Sequence, residues 1–180
     1  MLPAIRRIVT GHDADGRSIV ASDAPATNIA SSADLPDEGL INMWAIGPEL
    51  PRDADPMSAS WGLLPPTGGT IVRYFQVAPE VRYDRWTLDE RMARTKAIYA
   101  AMGAPDAHRD PTRHPAMHET PTVDFIVLLR GTITMLIDVG EVALQPFDMV
   151  VQRGTNHAWV NHGDSPALLL AVLNDDRRSA

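Results

Sequence analysis

The second half of the chain consists of short apolar segments separated by turn residues, and this pattern limits the fold more than any other feature. From Thr122 onward the sequence contains VDFIVLLR, TITMLID, EVAL, MVVQ, HAWVN and ALLLAVL, with Gly, Pro and Asp between the segments. Six closely spaced strands of this kind indicate an antiparallel sandwich or barrel. We therefore predict an all-β domain.

The first half of the chain is less regular. A hairpin is predicted over residues 4–21, because Asp-Gly at its centre is a strong turn dipeptide. The stretch that follows, residues 22–37, is rich in Ala, Ser, Asp and Pro and predicts an irregular surface arm. Strands are predicted at Gly39–Ile46 and Thr70–Val77, with a proline-rich loop between them.

One helix is predicted ahead of the strand-rich half, over residues 87–102. Thr87 and Glu90 form a capping box at its start, and Gly103 supplies its stop. Its apolar stripe is interpreted as a face that packs on the barrel. At 180 residues the chain is expected to be one domain, 1–180, with a hairpin and arm over 1–66 and a barrel core over 67–180.

Composition argues against several classes of partner. The formal net charge is −7 with scattered basic residues, whereas phosphate binding needs clustered Lys and Arg. No run approaches the ~20 apolar residues of a membrane span. Cysteine is absent, which excludes disulfides and thiolate metal ligands. We expect a cytoplasmic protein with a small-molecule ligand and with neither nucleic acid nor membrane as a partner.

Polar side chains alternate along two segments of the strand-rich half, so that a continuous strand would point each set to one face. The two sets are His118, Thr120, Thr122 and Asp124, and then His157, Trp159 and Asn161. Two imidazoles and one carboxylate inside a barrel are a ligand set for a divalent metal, since the carboxylate lowers the cost of burying the cation. Asn161 is interpreted as a structural residue whose side-chain amide stabilises a turn by hydrogen bonding.

These segments resemble the two motifs of the cupin superfamily, G-x5-H-x-H-x3-E-x6-G and G-x5-P-x-G-x2-H-x3-N. His118 matches the first histidine, Asp124 stands at the glutamate position, and Gly131 follows after six residues. Residues 154–161 match the end of the second motif. The resemblance covers roughly residues 112–174 and implies a small single-domain cupin of the "cupin 2" type, with a double-stranded β-helix (jelly-roll) barrel. The stretches VQRGTNHAWVN, RRIVTGHDADG and MHET-x2-VDF look like those of an uncharacterised bacterial and fungal subgroup.

Three departures from the motifs bear on the site. Thr120 replaces the second histidine, Asp124 is one methylene shorter than glutamate, and Gln152 replaces a proline. The remaining His118, Asp124 and His157 have the composition of the facial triad of non-haem iron enzymes. The resemblance implies Fe, Zn, Mn or Ni at these three residues, and the missing ligand leaves a metal-free pocket as the alternative. Thr120, Gln152 and Trp159 are expected to line the substrate pocket.

The leading hypothesis is an enzyme that acts on a small aromatic or carbonyl-bearing molecule through His118, His157 and Asp124. A metal would support lyase, decarboxylase or isomerase chemistry as a Lewis acid, and iron would permit oxygenation. Without a metal, the two histidines would act as general acid and base, since their unperturbed pKa lies near 6.5. The alternative is a non-catalytic small-molecule-binding protein or sensor. A homodimer joined through the N-terminal strand is also expected, because it would cover an open sheet edge.

Overall fold

The computed structural model describes residues 1–177. It contains eleven β-strands and one α-helix in that range, and short 3-10 turns at Pro56–Ser58, Glu80–Tyr83 and Pro105–Ala107. The elements are β1 (Arg6–His12), β2 (Ser18–Pro25), β3 (Ile29–Ser31), β4 (Gly39–Ile46), β5 (Thr70–Val77), α1 (Leu88–Ala101), β6 (Thr122–Arg130), β7 (Ile133–Ile137), β8 (Glu141–Leu144), β9 (Met149–Arg153), β10 (His157–Val160) and β11 (Ala167–Asp175). The predicted all-β class with one helix is confirmed, as are the six strands predicted after Thr122.

All strand pairings are antiparallel, and the barrel is formed by two sheets. One has six strands in the order β3-β4-β5-β11-β6-β9, and the other has three in the order β10-β7-β8. Gly131 lies in the short turn from the first sheet to the second, with φ of 86°. A Cβ there would approach Ala167 Cα to 3.0 Å, so glycine is required by both conformation and space.

The hydrophobic core lies between the two sheets. Ile71, Leu128 and Leu169 of the six-stranded sheet form one buried cluster with Ile133 and Leu144 of the three-stranded sheet. Replacing a buried leucine of such a cluster by alanine typically costs about 2–5 kcal/mol. The core therefore holds together the two walls on which the polar site is built.

Strand β6 carries both core and site residues on one face. Thr122, Asp124, Ile126 and Leu128 are buried, whereas Phe125 is 42% exposed on the opposite face. This alternation follows from the two-residue period of a strand. The prediction that Thr122 and Asp124 share an inward face is therefore confirmed.

The N-terminal region contains more sheet than the sequence predicts. The hairpin of β1 and β2 is present as a separate two-stranded sheet, with a turn at Gly16. However, β2 extends to Pro25 and β3 lies within the stretch predicted to be irregular. Because β3 pairs with β4 and β4 with β5, the boundary predicted at residue 66 lies inside the six-stranded sheet rather than in front of it.

Helix α1 begins and ends close to the predicted residues. The Thr87 side chain accepts from the Glu90 backbone, the Glu90 side chain accepts from Thr87, and Gly103 follows with φ of 71°. No residue of α1 is fully buried, so the predicted core-packing face is only half covered. Within residues 1–177, no helix is long and apolar enough to span a membrane.

Candidate functional site

The two histidines of the motifs are brought together by backbone pairing. His118 N donates to His157 O at 2.8 Å, and His157 N donates to His118 O at 2.9 Å. This bridge extends the three-stranded sheet just before β6 begins. The ring centroids are consequently 4.2 Å apart, so the predicted meeting of His118 and His157 is observed.

The neighbours of each ring indicate which nitrogen carries the proton. His118 Nδ1 lies 3.1 Å from the carbonyl oxygen of Ala116, and His157 Nδ1 lies 2.9 Å from that of Thr155. A carbonyl oxygen only accepts, so we assign the proton to Nδ1 in both rings. Each Nε2 then holds a lone pair, and no hydrogen bond reaches either Nε2 from the described part of the chain.

Gln152 supports this arrangement from behind His157. Its amide nitrogen donates to the carbonyl of Thr155 at 2.8 Å and to the Thr155 hydroxyl at 2.6 Å, which uses both amide hydrogens. The same nitrogen lies 3.0 Å from His157 Nδ1, as a contact. Gln152 was predicted to line the pocket, but it does not, because its amide is engaged with Thr155. It positions the segment that holds His157.

Burial keeps both imidazoles neutral. It lowers the pKa of His118 to about 4 and that of His157 to about 3, and the neighbouring His118 ring adds to the second effect. The sequence suggested a general acid and base with ordinary histidine pKa values near 6.5. The low values instead make the two rings hydrogen-bond acceptors or metal ligands at neutral pH.

Among the three predicted ligands His118, Asp124 and His157, Asp124 has the pKa nearest to neutrality. It is 3% exposed on β6, opposite Gln152 of β9, and its Oδ1 has no hydrogen-bond partner. Burial raises the pKa of this carboxyl to about 6, although the Thr122 hydroxyl and the charge of Arg73 lower it in part. Of these three side chains, the carboxyl of Asp124 is therefore the one that can gain or lose a proton near neutral pH.

The arrangement was tested against the metal centre that the sequence predicts. Each histidine has the form expected of a ligand, with Nδ1 on a carbonyl and Nε2 free. Among residues 1–177, however, no three His, Asp or Glu side chains come together as a ligand group, so Asp124 does not join the histidines. Thr120, in the fourth place, bonds to the Thr122 hydroxyl at 2.8 Å. In this arrangement the residues do not form a three-ligand metal centre. A metal bound by His118, Asp124 and His157 therefore stays a prediction.

One cavity of about 400 Å³ collects most of the predicted site residues. His118, Thr120, Asp124, His157 and Trp159 all line it. The rest of its wall is mainly apolar and comes from the two sheets, helix α1 and the segment around β3. A volume of this size suits a small organic molecule.

Arg73 is a cavity residue that the sequence analysis did not single out. It lies on β5, is 2% exposed, and its Nη2 donates to Gly62 O at 3.1 Å, whereas its Nε has no partner. Burial lowers its pKa to about 10, so it remains a cation at neutral pH. A signal was present in the sequence, because Arg73 shares the parity of the apolar residues Ile71 and Phe75 of the same strand.

Glu38 also lines the cavity without having been predicted. It lies just before β4, and its carboxylate accepts from the Tyr83 hydroxyl and, at 3.4 Å, from Ala78 N. Burial raises its pKa to about 7. Nothing in the local sequence separates this glutamate from a surface residue, since the contacts that bury it come from distant parts of the chain.

The remaining polar residue of the second motif has the predicted structural role. The Asn161 amide nitrogen donates to Val77 O at 3.0 Å and Ser165 O at 2.9 Å, and its oxygen accepts from Gly163 N at 2.9 Å. Its neighbour His162 is exposed and does not line the cavity. The polar residues of the two motifs thus have two roles. Some line the cavity, whereas others, such as Asn161, hold the strands in place by hydrogen bonds.

No family model matches the chain. A 46-residue segment is 48% identical to the Phomopsin biosynthesis cluster protein D of Diaporthe leptostromiformis, over 25% of this chain and 24% of that protein. A 63-residue segment is 36% identical to the cupin-domain-containing oxidoreductase fogC of Aspergillus ruber, over 33% of this chain and 31% of that protein. The matched segments thus span less than a third of these relatives' own length.

Among solved structures, the chain is similar to a putative ethanolamine utilization protein of Salmonella typhimurium, at 8% identity and a TM-score of 0.43, over 97% of this chain and 99% of that one. It is also similar to a cupin-2 domain protein of Rhodospirillum rubrum, at 11% identity and a TM-score of 0.42, over 97% and 72% of the two chains. The chain thus forms an antiparallel barrel, and over a third of its length it is similar to a protein with a cupin domain.

Proposed function

We propose that the chain is an enzyme that transfers protons on a small carbonyl-bearing molecule held in the barrel cavity. The observation that carries this proposal is the grouping of two neutral imidazoles and one carboxyl with a pKa of about 6 around a single, mainly apolar cavity. Titratable groups whose pKa values are moved apart in one cleft are typical of acid–base sites.

Asp124 has the proton-transfer role. Its free Oδ1 accepts the proton that the substrate loses, and its pKa of about 6 allows the proton to be returned to another atom of the same molecule. Isomerisation needs only this transfer, and in an elimination the returned proton goes to the departing group as its bond to carbon breaks. His118 and His157 orient the substrate, because their Nε2 lone pairs accept hydrogen bonds from its hydroxyl groups.

The relatives support small-molecule chemistry. Two of them carry the name cupin-domain-containing oxidoreductase, in Aspergillus ruber and Neurospora crassa, and three others are named as biosynthesis cluster proteins. The match to each of these relatives covers a third of its length or less.

The experiment that tests the proposal measures proton transfer directly. The chain is incubated in D2O with a panel of aldehydes, ketones and β-keto acids, and deuterium incorporation next to the carbonyl is followed by NMR. We expect exchange on at least one compound, reduced roughly 100-fold or more in Asp124→Asn. The exposed His162→Gln variant is the matched control and keeps the wild-type rate. Equal exchange in wild type and Asp124→Asn would contradict the proposal.

A non-catalytic binding protein is the second candidate. The observation that favours it is the incomplete ligand set, in which two histidines meet without a third metal ligand. In that case members of the same panel bind the cavity, as measured by calorimetry, and none of them exchanges deuterium. The two readouts therefore separate the enzyme from the binder.

We propose that the homodimer expected from the sequence forms through one face of the N-terminal hairpin. Ile8 of β1 and Val20 of β2 are exposed on that face, and β1 and β2 form a sheet separate from the barrel. A second copy of the chain would cover these side chains. Light scattering on the purified chain and on Ile8→Glu tests this, with a dimer expected for the first and a monomer for the second.

A further inference from the structure

We infer that the cavity recognises an uncharged carbonyl group with an adjacent N–H or O–H donor, held between Arg73 and Asp124. The inference rests on the proposed function in using the same cavity, and it adds the chemical class of the ligand. The observation behind it is that two buried polar groups of the cavity wall each lack a hydrogen-bond partner.

Arg73 is the unpaired donor. Its side chain is enclosed by the barrel, and the bond from Nη2 to Gly62 O is the one hydrogen bond of its guanidinium to residues 1–177. Nε has no acceptor. A buried N–H without a partner is costly, so an acceptor on a bound molecule would be favoured at this point.

Asp124 is the unpaired acceptor. Its Oδ1 is buried without a donor. No carboxylate of the described residues, including that of Asp124, lies within 4.0 Å of an Arg73 nitrogen, although each charge acts on the other. The two groups therefore form no direct ion pair, and each keeps an unpartnered polar atom in the wall of the same cavity.

The chemistry of the ligand follows from what each group needs. A carbonyl oxygen accepts from the guanidinium of Arg73, and a neighbouring N–H or O–H donates to the carboxylate of Asp124. The charges of Arg73 and Asp124 cancel, so the ligand needs no charge. A carboxylate ligand has no hydrogen to donate and would add a second anion beside Asp124. Phe75, Ile126 and Trp159 supply an apolar wall for the rest of the molecule.

Binding of matched probes to the full chain tests this inference. Benzamide has both the carbonyl and the N–H donors, benzoate lacks the donors and carries a charge, and N,N-dimethylbenzamide lacks the donors alone. We expect benzamide to bind roughly tenfold or more tightly than either of the other two, by calorimetry or ligand-observed NMR. Because this comparison uses the wild-type chain, it does not depend on the folding of a variant.

Two arginine variants test whether Arg73 is responsible for the preference for benzamide. Arg73→Met is expected to bind benzamide no more tightly than N,N-dimethylbenzamide, whereas Arg153→Met, on the exposed side of β9, keeps the wild-type preference. Undetectable benzamide binding, equal or tighter binding of benzoate, or a preference that survives in Arg73→Met would overturn the inference. Deuterium exchange is a separate readout, so a preference for benzamide without exchange would count against the proposed enzyme alone.

Discussion

The backbones of His118 and His157 are joined by two hydrogen bonds of 2.8 and 2.9 Å, and this pair holds the two rings with their centroids 4.2 Å apart. Because the bonds are part of a sheet, the spacing of the rings does not depend on a flexible loop. Tyr99 of α1 lies against the same group, with its ring centroid 5.1 Å from that of His118. The pair of rings is thus held by a backbone bridge at the start of β10, with α1 packed against it.

The rate of the proposed proton transfer should depend on the ionisation of Asp124. Burial raises the pKa of this carboxyl to about 6, and only its ionised form accepts a proton. The rate of deuterium exchange is therefore expected to rise with pH through about 6 and then to level. Glu38, with a pKa of about 7, lines the same cavity, so Glu38→Gln serves as the control. In this variant the rate should still rise through about pH 6. A rate that falls with rising pH would contradict the assignment.

The free energy of unfolding should report the same carboxyl independently of activity. Its pKa is raised above the ordinary value of 3.8, so its contribution to stability is fully present below that pH and is lost as pH rises through about 6. Relative to Asp124→Asn, the wild type should lose about 2–4 kcal/mol between acidic and neutral pH. Urea unfolding of both proteins across this range measures the difference. A stability difference that does not change with pH would argue against a buried carboxyl with a raised pKa at position 124.

Metal affinity should respond to the residue at position 120. Two histidine nitrogens alone are fewer than the three protein ligands of a typical catalytic zinc site, so we expect well under one bound metal ion per untagged wild-type chain. Thr120→His adds an imidazole at the place where the cupin motif has one, and should raise the bound zinc or iron. Elemental analysis measures this, with Thr120→Val as the size control. Stoichiometric metal in the wild type that disappears in His157→Ala would instead support the metal centre predicted from the sequence.

Stability should depend strongly on Asn161, which lies outside the cavity lining. Its three hydrogen bonds tie the end of β5 to the turn before β11. Asn161→Ala leaves the carbonyls of Val77 and Ser165 and the amide of Gly163 without this partner, so we expect a loss of about 2–4 kcal/mol in the free energy of unfolding. Urea unfolding measures it. The exposed His162→Ala variant should change stability little, and a similar small change in Asn161→Ala would show that the turn is held by other contacts.

The sequence predicted the elements whose signals are local. The capping box of Thr87 and Glu90 and the stop at Gly103 located α1, because each is a contact within a few residues. The parity of Thr122 and Asp124 located the inward face of β6 for the same reason. The motif spacing also placed His118 and His157 in one cavity, although only the sheet determines how close they come.

The parts that sequence reasoning missed depend on distant pairing. β3 is a short exposed strand whose three residues become sheet only by pairing with β4. Glu38 is buried by contacts with Ala78 and Tyr83, which the local sequence does not reveal. Gln152 was placed in the pocket from its motif position, but its amide is engaged by Thr155 three residues further along.

Helix α1 contributes Ile98 and Tyr99 to the cavity wall while burying none of its residues completely. Elements held by half-buried contacts open locally at a small fraction of the free energy needed to unfold a core. Exchange of ligand with solvent can then proceed by outward movement of this one helix while the two sheets stay intact. We therefore expect the residence time of a bound molecule to depend on how tightly α1 is held, so that mutations on the helix change dissociation rates without altering the groups that contact the ligand's polar end.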